Sequence, residues 1–269
     1  MTDTNWWTPE YEFFGQFYEF ADRSEEGFNT LHRMTREERT QREIAIIEKF
    51  LSPTPKSKIL DCPCGSGRHS LNLAQKGYQV VGIDINDYML KLANGNRQNA
   101  SLNGNITFMK MDMRKLELEN ESFDYIINMF LSFGFFNDID NIKVVKEFSR
   151  LLKRGGKLLL HLDLNYDRVI NNLYLRGDQH ISRGCNLNGE YRILEIKEKY
   201  DEQNKRLLGE WTLLNGGPIT KNYSLRVYDN EKEFIPMFKE NGFSKVTLYD
   251  PDKNEFDIES KETILVAIK

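Results

Sequence analysis

Residues 58–86, KILDCPCGSGRHSLNLAQKGYQVVGIDIN, constrain this chain more than any other stretch. An apolar run (Ile59, Leu60) ends in Asp61 and passes into a turn holding Gly65 and Gly67. A helical pattern follows (Leu71, Leu73, Ala74), and a second apolar run (Val80, Val81, Ile83) ends in Asp84. The order is strand, glycine turn, helix, strand, with an acid at each strand tip. Glycine permits positive φ and lets backbone approach a ligand closely. A carboxylate at the second tip can accept hydrogen bonds from both hydroxyls of a ribose. The stretch therefore suits a nucleoside. Simpler roles stay open, with Asp61 capping the turn and Asp84 capping a helix that begins near Asn86.

The alternation continues. ILDC, QVVGIDI, ITFMKM, FDYIINMF and KLLLHLDL are apolar runs of strand length, with helical stretches after Gly67, Asn86 and Asn137. Nearly continuous apolar runs suit a parallel sheet covered on both faces, and alternation with helices implies βαβ units. Residues 6–20 are crowded with aromatics and read as an N-terminal helix or arm. Residues 36–51 form an amphipathic helix (Ile44, Ile47, Leu51) that Pro53 and Pro55 stop. After Asp163 the pattern changes. Residues 165–176 read as a helix, and 190–200, 206–214 and 219–228 as an antiparallel meander with turns at DEQNK and NGGP. A helix over 230–241 and the strands KVTLYD and TILVAIK complete the chain.

Composition narrows the partners. A chain of 269 residues with 39% apolar and 29% charged content can bury a sizeable core. Its net charge of −4 argues against wrapping a long polyanion. No apolar run reaches the roughly 18 residues of a membrane span, and residues 1–14 lack a basic leader, so no membrane role and a cytoplasmic setting are expected. The three cysteines do not form a disulfide framework, and Cys62, Cys64 and His69 lack the four convergent ligands of a zinc site, so no metal is expected.

With these motifs in order, the chain resembles the class I S-adenosylmethionine-dependent methyltransferases over residues 56–163 and 230–269. Their first motif, acid-x-G-x-G-x-G after an apolar run, is matched by Asp61, Cys62, Pro63, Cys64, Gly65, Ser66 and Gly67, with Pro63 replacing the first glycine. Asp84 matches the acid of the second strand. Asp112 matches the acid that faces the adenine amine, with Met113 beside the ring. Lys153, Arg154, Gly155, Gly156 and Lys157 match the turn before the fifth strand. A nicotinamide site would prefer glycine where Ser70 stands. The resemblance implies a Rossmann-like α/β fold: a seven-stranded mixed sheet of order 3-2-1-4-5-7-6, helices on both faces and an inserted antiparallel β lid. It divides the chain into an arm (1–35), a cofactor-binding domain (36–164 and 229–269) and the lid (165–228).

The same resemblance implies S-adenosyl-L-methionine as cofactor. Its expected contacts are Asp61, Cys62, Gly65, Ser66, Gly67, Asp84, Ile85, Met89, Asp112, Met113, Arg114, Asn128, Met129 and Phe130. Enzymes that methylate base amines often carry N/D-P-P-Y/F at the fourth strand's tip, whereas this chain has Asn128, Met129, Phe130 and Leu131. No nucleic-acid partner is therefore expected. The lid is similar to that of enzymes acting on sugar amines and glycine-type amines. The implied activity is methyl transfer to a nitrogen or oxygen of a small molecule, with Phe133, Tyr166, Trp211, Tyr223 and Arg226 around the acceptor. Asp163, His161 and Tyr18 are the candidate catalytic groups. The alternatives are action on protein or RNA, or a silent binding module of the same fold.

Overall fold

The computed structural model describes residues 5–22, 34–102, 104–171, 181–187 and 189–269. The apolar runs assemble into a seven-stranded sheet in the order β3 (Ile106–Lys110), β2 (Gln79–Asp84), β1 (Lys58–Asp61), β4 (Phe123–Asn128), β5 (Leu152–Leu162), β11 (Thr263–Ile268), β10 (Lys245–Tyr249). Strands β1 to β5 are mutually parallel, and β10 and β11 run antiparallel at one edge. This is the expected 3-2-1-4-5-7-6 order. Side chains alternate across the pleat. Ile59, Ile127 and Leu159 join Ile44, Ile47 and Leu51 of α2 (Arg36–Leu51) in one core. Leu60, Ile126, Leu158 and Leu160 join Val144 and Phe148 of α5 (Asp138–Leu151) in the other. Both faces are dry, which is why these strands show no polar alternation.

Helix starts follow capping chemistry. At α2 the Thr35 hydroxyl accepts from the Glu38 amide (3.2 Å), and the Glu38 carboxylate accepts from the Thr35 amide (2.8 Å). The arm contains a turn at Pro9–Tyr11 and then α1 (Gln16–Asp22). Between the main strands lie α3 (Arg68–Gln75) and α4 (Asp87–Asn99), and α7 (Ile235–Glu240) precedes the closing hairpin.

A second, four-stranded antiparallel sheet comprises β6 (Ile181–Leu187), β7 (Glu190–Asp201), β8 (Arg206–Leu214) and β9 (Ile219–Arg226). The expected meander gains β6 as a fourth strand. Two further expectations change. The expected helix over 165–176 is the short α6 (Tyr166–Ile170), and residues 172–180 lie outside the described residues. The glycine pair expected as a turn is a bulge inside β5, where the β4 register shifts between Phe123 and Tyr125. Bulges absorb such a shift without ending the strand.

The arm is stitched to the second sheet. Trp6 Nε1 donates to the Ser224 carbonyl (2.9 Å), Lys221 Nζ to the Tyr11 carbonyl (2.6 Å), and the Asn222 amide to the Tyr11 hydroxyl (2.9 Å). Together they cover the carboxyl ends of β1, β2 and β4.

Close packing fixes two positions beneath that cover. A Cβ on Gly82, midway along β2, would lie 2.5 Å from the Phe108 ring. Gly82→Ala is expected to cost roughly 1–3 kcal/mol in urea unfolding, with part recovered by adding Phe108→Leu. Asp61 is fully buried at the β1 tip, and its Oδ2 accepts from Ser70 Oγ of α3 at 2.5 Å. Burial pushes its carboxyl up to about 7. An acid with a raised folded pKa binds extra protons when folded, so its stabilising contribution is lost as pH rises from about 4 to about 7. Asp61→Asn is expected to remove that fall, on the order of 1–4 kcal/mol, in denaturant melts across this range. Equal pH slopes in variant and wild type would contradict it.

Candidate active site

The turn after β1 folds back on the tip of β2. The Cys64 amide donates to the Ile83 carbonyl (2.7 Å), and the Gly65 amide donates to Asp84 Oδ2 (2.8 Å). Gly65 adopts φ +53°, and a Cβ there would meet nothing within 4 Å. Gly67 is different. At φ +79° its missing Cβ would strike the Phe108 ring at 2.7 Å, so this glycine serves the packing beneath the turn. Pro63 follows Cys62 through a cis peptide bond.

Asp84 is buried, and burial raises its carboxyl pKa against the amide bonds that favour ionisation. Its Oδ1 accepts from the Asn86 amide (2.9 Å). The cap of α4 is Asn86, whose Oδ1 accepts from the Tyr88 and Met89 amides (2.9 and 3.2 Å). Asp84 is thus not needed as the helix cap. Asn86 Nδ2 also donates to the Phe14 carbonyl of the arm (2.7 Å).

An open cavity lies over these strand ends. Of the expected cofactor contacts it is lined by Cys62, Gly65, Ser66, Asp84, Ile85, Met89, Asp112, Met113, Met129 and Phe130. The others stand behind the wall. Asp61 and Gly67 brace the turn as described. Asn128, fully buried, donates to the Cys62 carbonyl (2.8 Å) and ties β4 to the same turn. Arg114 grips Asp112 through Nε (3.0 Å) and Nη2 (2.6 Å), reaches Asp140 (2.9 Å) and stacks over Trp7 and Phe136. Burial opposes ionisation of Asp112, but the Arg114 hydrogen bonds outweigh it and hold the carboxyl below its usual range.

Of the expected acceptor contacts, Trp211 and Tyr223 line the cavity and three do not. Phe133 turns into the core against Tyr228, Phe234 and Phe238. Tyr166 is sealed between Tyr228 and Phe234. Arg226 pairs with Asp138 (2.9 Å) and Glu233 (3.2 Å). On β9, Tyr223 and Leu225 share the cavity face, so Arg226 must point the other way.

The candidate catalytic groups divide likewise. Tyr18 lines the cavity, stacked at 10° on Trp211; burial and the nearby Asp22 push its hydroxyl pKa up, so it keeps its proton at neutral pH. His161 is buried outside the lining, 3.5 Å from Glu262 and 4.0 Å from Glu43. Burial disfavours its charge, but these carboxylates outweigh it and raise its pKa. Asp163 is fully buried and contributes to that raising.

Several lining groups were not among the expected contacts: Asp22, Arg36, Arg68, His69 and Phe135. Arg36 pairs with Asp22 (3.0 Å) and donates to Ser66 Oγ (2.6 Å). Arg68 pairs with buried Glu43, and His69 Nε2 lies 2.8 Å from the same carboxylate. Burial, with Arg68 adding to it, pushes the His69 pKa down to about 4, so the ring is neutral at pH 7. At the β4 tip, Phe130 and Leu131 both hold left-handed φ (+58° and +57°), strain that concentrates at ligand sites. The Arg39 guanidinium sits 4.5 Å above the Phe130 ring. Among the described residues no group of three or more His, Cys, Asp or Glu is placed to hold a metal, and no helix is long and apolar enough to cross a membrane.

The lining carboxylates Glu19, Asp22, Asp84 and Asp112 outnumber the lining cations Arg36 and Arg68. A negatively biased cavity with amide-fixed carboxylates at its β2 end fits a cationic, ribose-bearing cofactor.

Comparison with known proteins agrees. A family model described as a methyltransferase domain matches residues 59–156. The YqeM protein of Bacillus subtilis is 34% identical over 114 residues, covering 41% of this chain and 44% of that protein, so the match spans under half of its length. The ubiquinone/menaquinone biosynthesis C-methyltransferase UbiE of Pseudomonas savastanoi is 26% identical over 199 residues, covering 72% of this chain and 67% of that one. Among solved structures, an S-adenosylmethionine-dependent methyltransferase from Clostridium acetobutylicum aligns with TM-score 0.67 at 17% identity, covering 94% of this chain and 97% of that one. Residues 59–156 thus match a methyltransferase domain, and the sheet order and fold are similar to those of a solved S-adenosylmethionine-dependent methyltransferase.

Proposed function

We propose that this chain transfers a methyl group from S-adenosylmethionine to a nitrogen or oxygen of a small molecule. The observation that carries this reading is one continuous cavity, running from Asp84 and Asp112 to Trp211 and Tyr223 and roofed by the arm and second sheet. A roofed cavity admits a small acceptor more readily than a protein segment or a nucleic acid. The bound cofactor supplies the electrophilic methyl group, and the protein supplies alignment. Asp84 takes the ribose hydroxyls, Asp112 and the Met113 backbone take the adenine, and Met129 and Phe130 flank the reacting end. The negative lining suits a sulfonium. Tyr18 holds its proton and acts as a donor that orients the acceptor. His69, neutral and braced by Glu43, lines the cavity as a hydrogen-bonding group of its wall. His161 lies between the buried carboxylates of Glu43 and Glu262, and Asp163 favours its charged form. The match to a C-methyltransferase makes carbon the competing acceptor atom.

Incubation with methyl-labelled S-adenosylmethionine, a panel of small amines, hydroxyl compounds and sugar nucleotides, and parallel samples of total RNA and protein tests the reading. Label is expected in a small molecule, on nitrogen or oxygen. Label on carbon would correct the acceptor atom, and label confined to RNA or protein would overturn the proposal.

A further inference from the structure

Part of the cavity lining is a continuous patch of aromatic rings drawn from three separate places. The arm gives Trp6, Phe13, Phe14 and Tyr18, the β4–α5 loop gives Phe135, and the second sheet gives Trp211 and Tyr223. Phe13 lies 5.2 Å from Trp211, Trp211 lies 5.8 Å from Tyr223, and Phe14 stacks on Phe135 at 5.8 Å. Trp6, 4.7 Å from Phe135, spends its one polar hydrogen on the Ser224 carbonyl, so it offers the cavity ring surface. Trp6, Phe13, Trp211 and Tyr223 are buried against one another, while Phe14, Tyr18 and Phe135 are only partly buried and give the cavity an apolar wall.

The charges point the same way. The two guanidinium groups that line the cavity are already matched, Arg36 to Asp22 and Arg68 to Glu43. Recognition of a phosphate or a carboxylate needs a spare cation. Recognition of a sugar needs side-chain donors and acceptors for each buried hydroxyl. The ring patch supplies little of either.

We propose that the acceptor presents a flat, uncharged aromatic body, of the phenol or aryl-amine class, which packs among these rings. This rests on the small-molecule reading above and departs from the sugar-amine and glycine-type acceptors that the family resemblance implies. Rings pair best in offset or edge-to-face geometry at separations of about 4.5–7 Å, the spacing the patch already shows among its own members.

The test uses 2-naphthol and catechol as probes, with glycine and glucosamine 6-phosphate as counter-probes. Each is titrated into the whole protein with and without saturating S-adenosylhomocysteine, following tryptophan fluorescence and thermal melting. 2-Naphthol and catechol are expected to bind at least about tenfold more tightly than either counter-probe. Tyr18→Leu and Phe14→Leu, each checked for an unchanged melting temperature without probe, are expected to weaken them about tenfold while leaving S-adenosylhomocysteine binding within about twofold. Tighter binding of glycine or glucosamine 6-phosphate would overturn the proposal, as would aromatic binding that neither variant alters. Failure of S-adenosylhomocysteine to bind counts against the methyltransferase reading alone, because the probes are also titrated in its absence.

Discussion

The carboxylate of Asp84 is the junction on which the site depends. One oxygen accepts the Gly65 amide and so fixes the turn after β1; the other accepts the Asn86 amide and so fixes the start of α4. Asn86 in turn caps α4 and holds the arm by the Phe14 carbonyl. Three segments distant in sequence, the arm, the turn after β1 and the β2–α4 junction, meet through two neighbouring side chains at one strand tip. A buried carboxylate is tolerated there because amide hydrogens stabilise its charge. Both oxygens retain acceptor capacity toward the cavity, which is how one group can be structural support and ligand contact at once.

Around that junction the protein separates two electrostatic regimes. Behind the cavity wall, Glu43, His161, Glu262 and Arg39 are buried, with His69 at the wall and Arg42 half-buried at the edge, and each is placed against an opposite charge or a histidine ring. Removing one partner of such a buried set is costly, since it strands a charge away from water. Facing the cavity, carboxylates outnumber guanidinium groups, and much of the remaining lining is apolar or aromatic. The charge network therefore sets the shape of the strand ends, and the cavity is left for a cation and an apolar body.

Much of this was legible in the sequence, for identifiable reasons. The parallel strands are buried on both faces and so appear as unbroken apolar runs, and the acids at their tips break those runs where a ligand would sit. Asp84, Gly65, Asp112 and Met129 line the cavity for that reason. Arg226 was misplaced beside Tyr223, although strand alternation excludes putting residues 223 and 226 on one face. Phe133 and Phe135 could not be told apart, because the left-handed backbone at Phe130, Leu131 and Gly134 re-aims the loop and leaves no periodicity to follow. Gly67 has the family's glycine for a packing reason, contact with Phe108, that only tertiary structure reveals. His69 stood out beside Cys62 and Cys64 and after the glycine turn, but its pairing with Glu43 was not legible, since that partner lies on another helix.

The most direct measurement of the central claim is calorimetric titration of S-adenosylhomocysteine into wild type and Asp84→Asn. One site per chain is expected in wild type and at least about tenfold weaker binding in the variant, because an amide replaces one acceptor oxygen with a donor. A wild-type chain that binds no nucleoside, or a folded variant that binds it equally well, would contradict the assignment of this strand tip as the cofactor site.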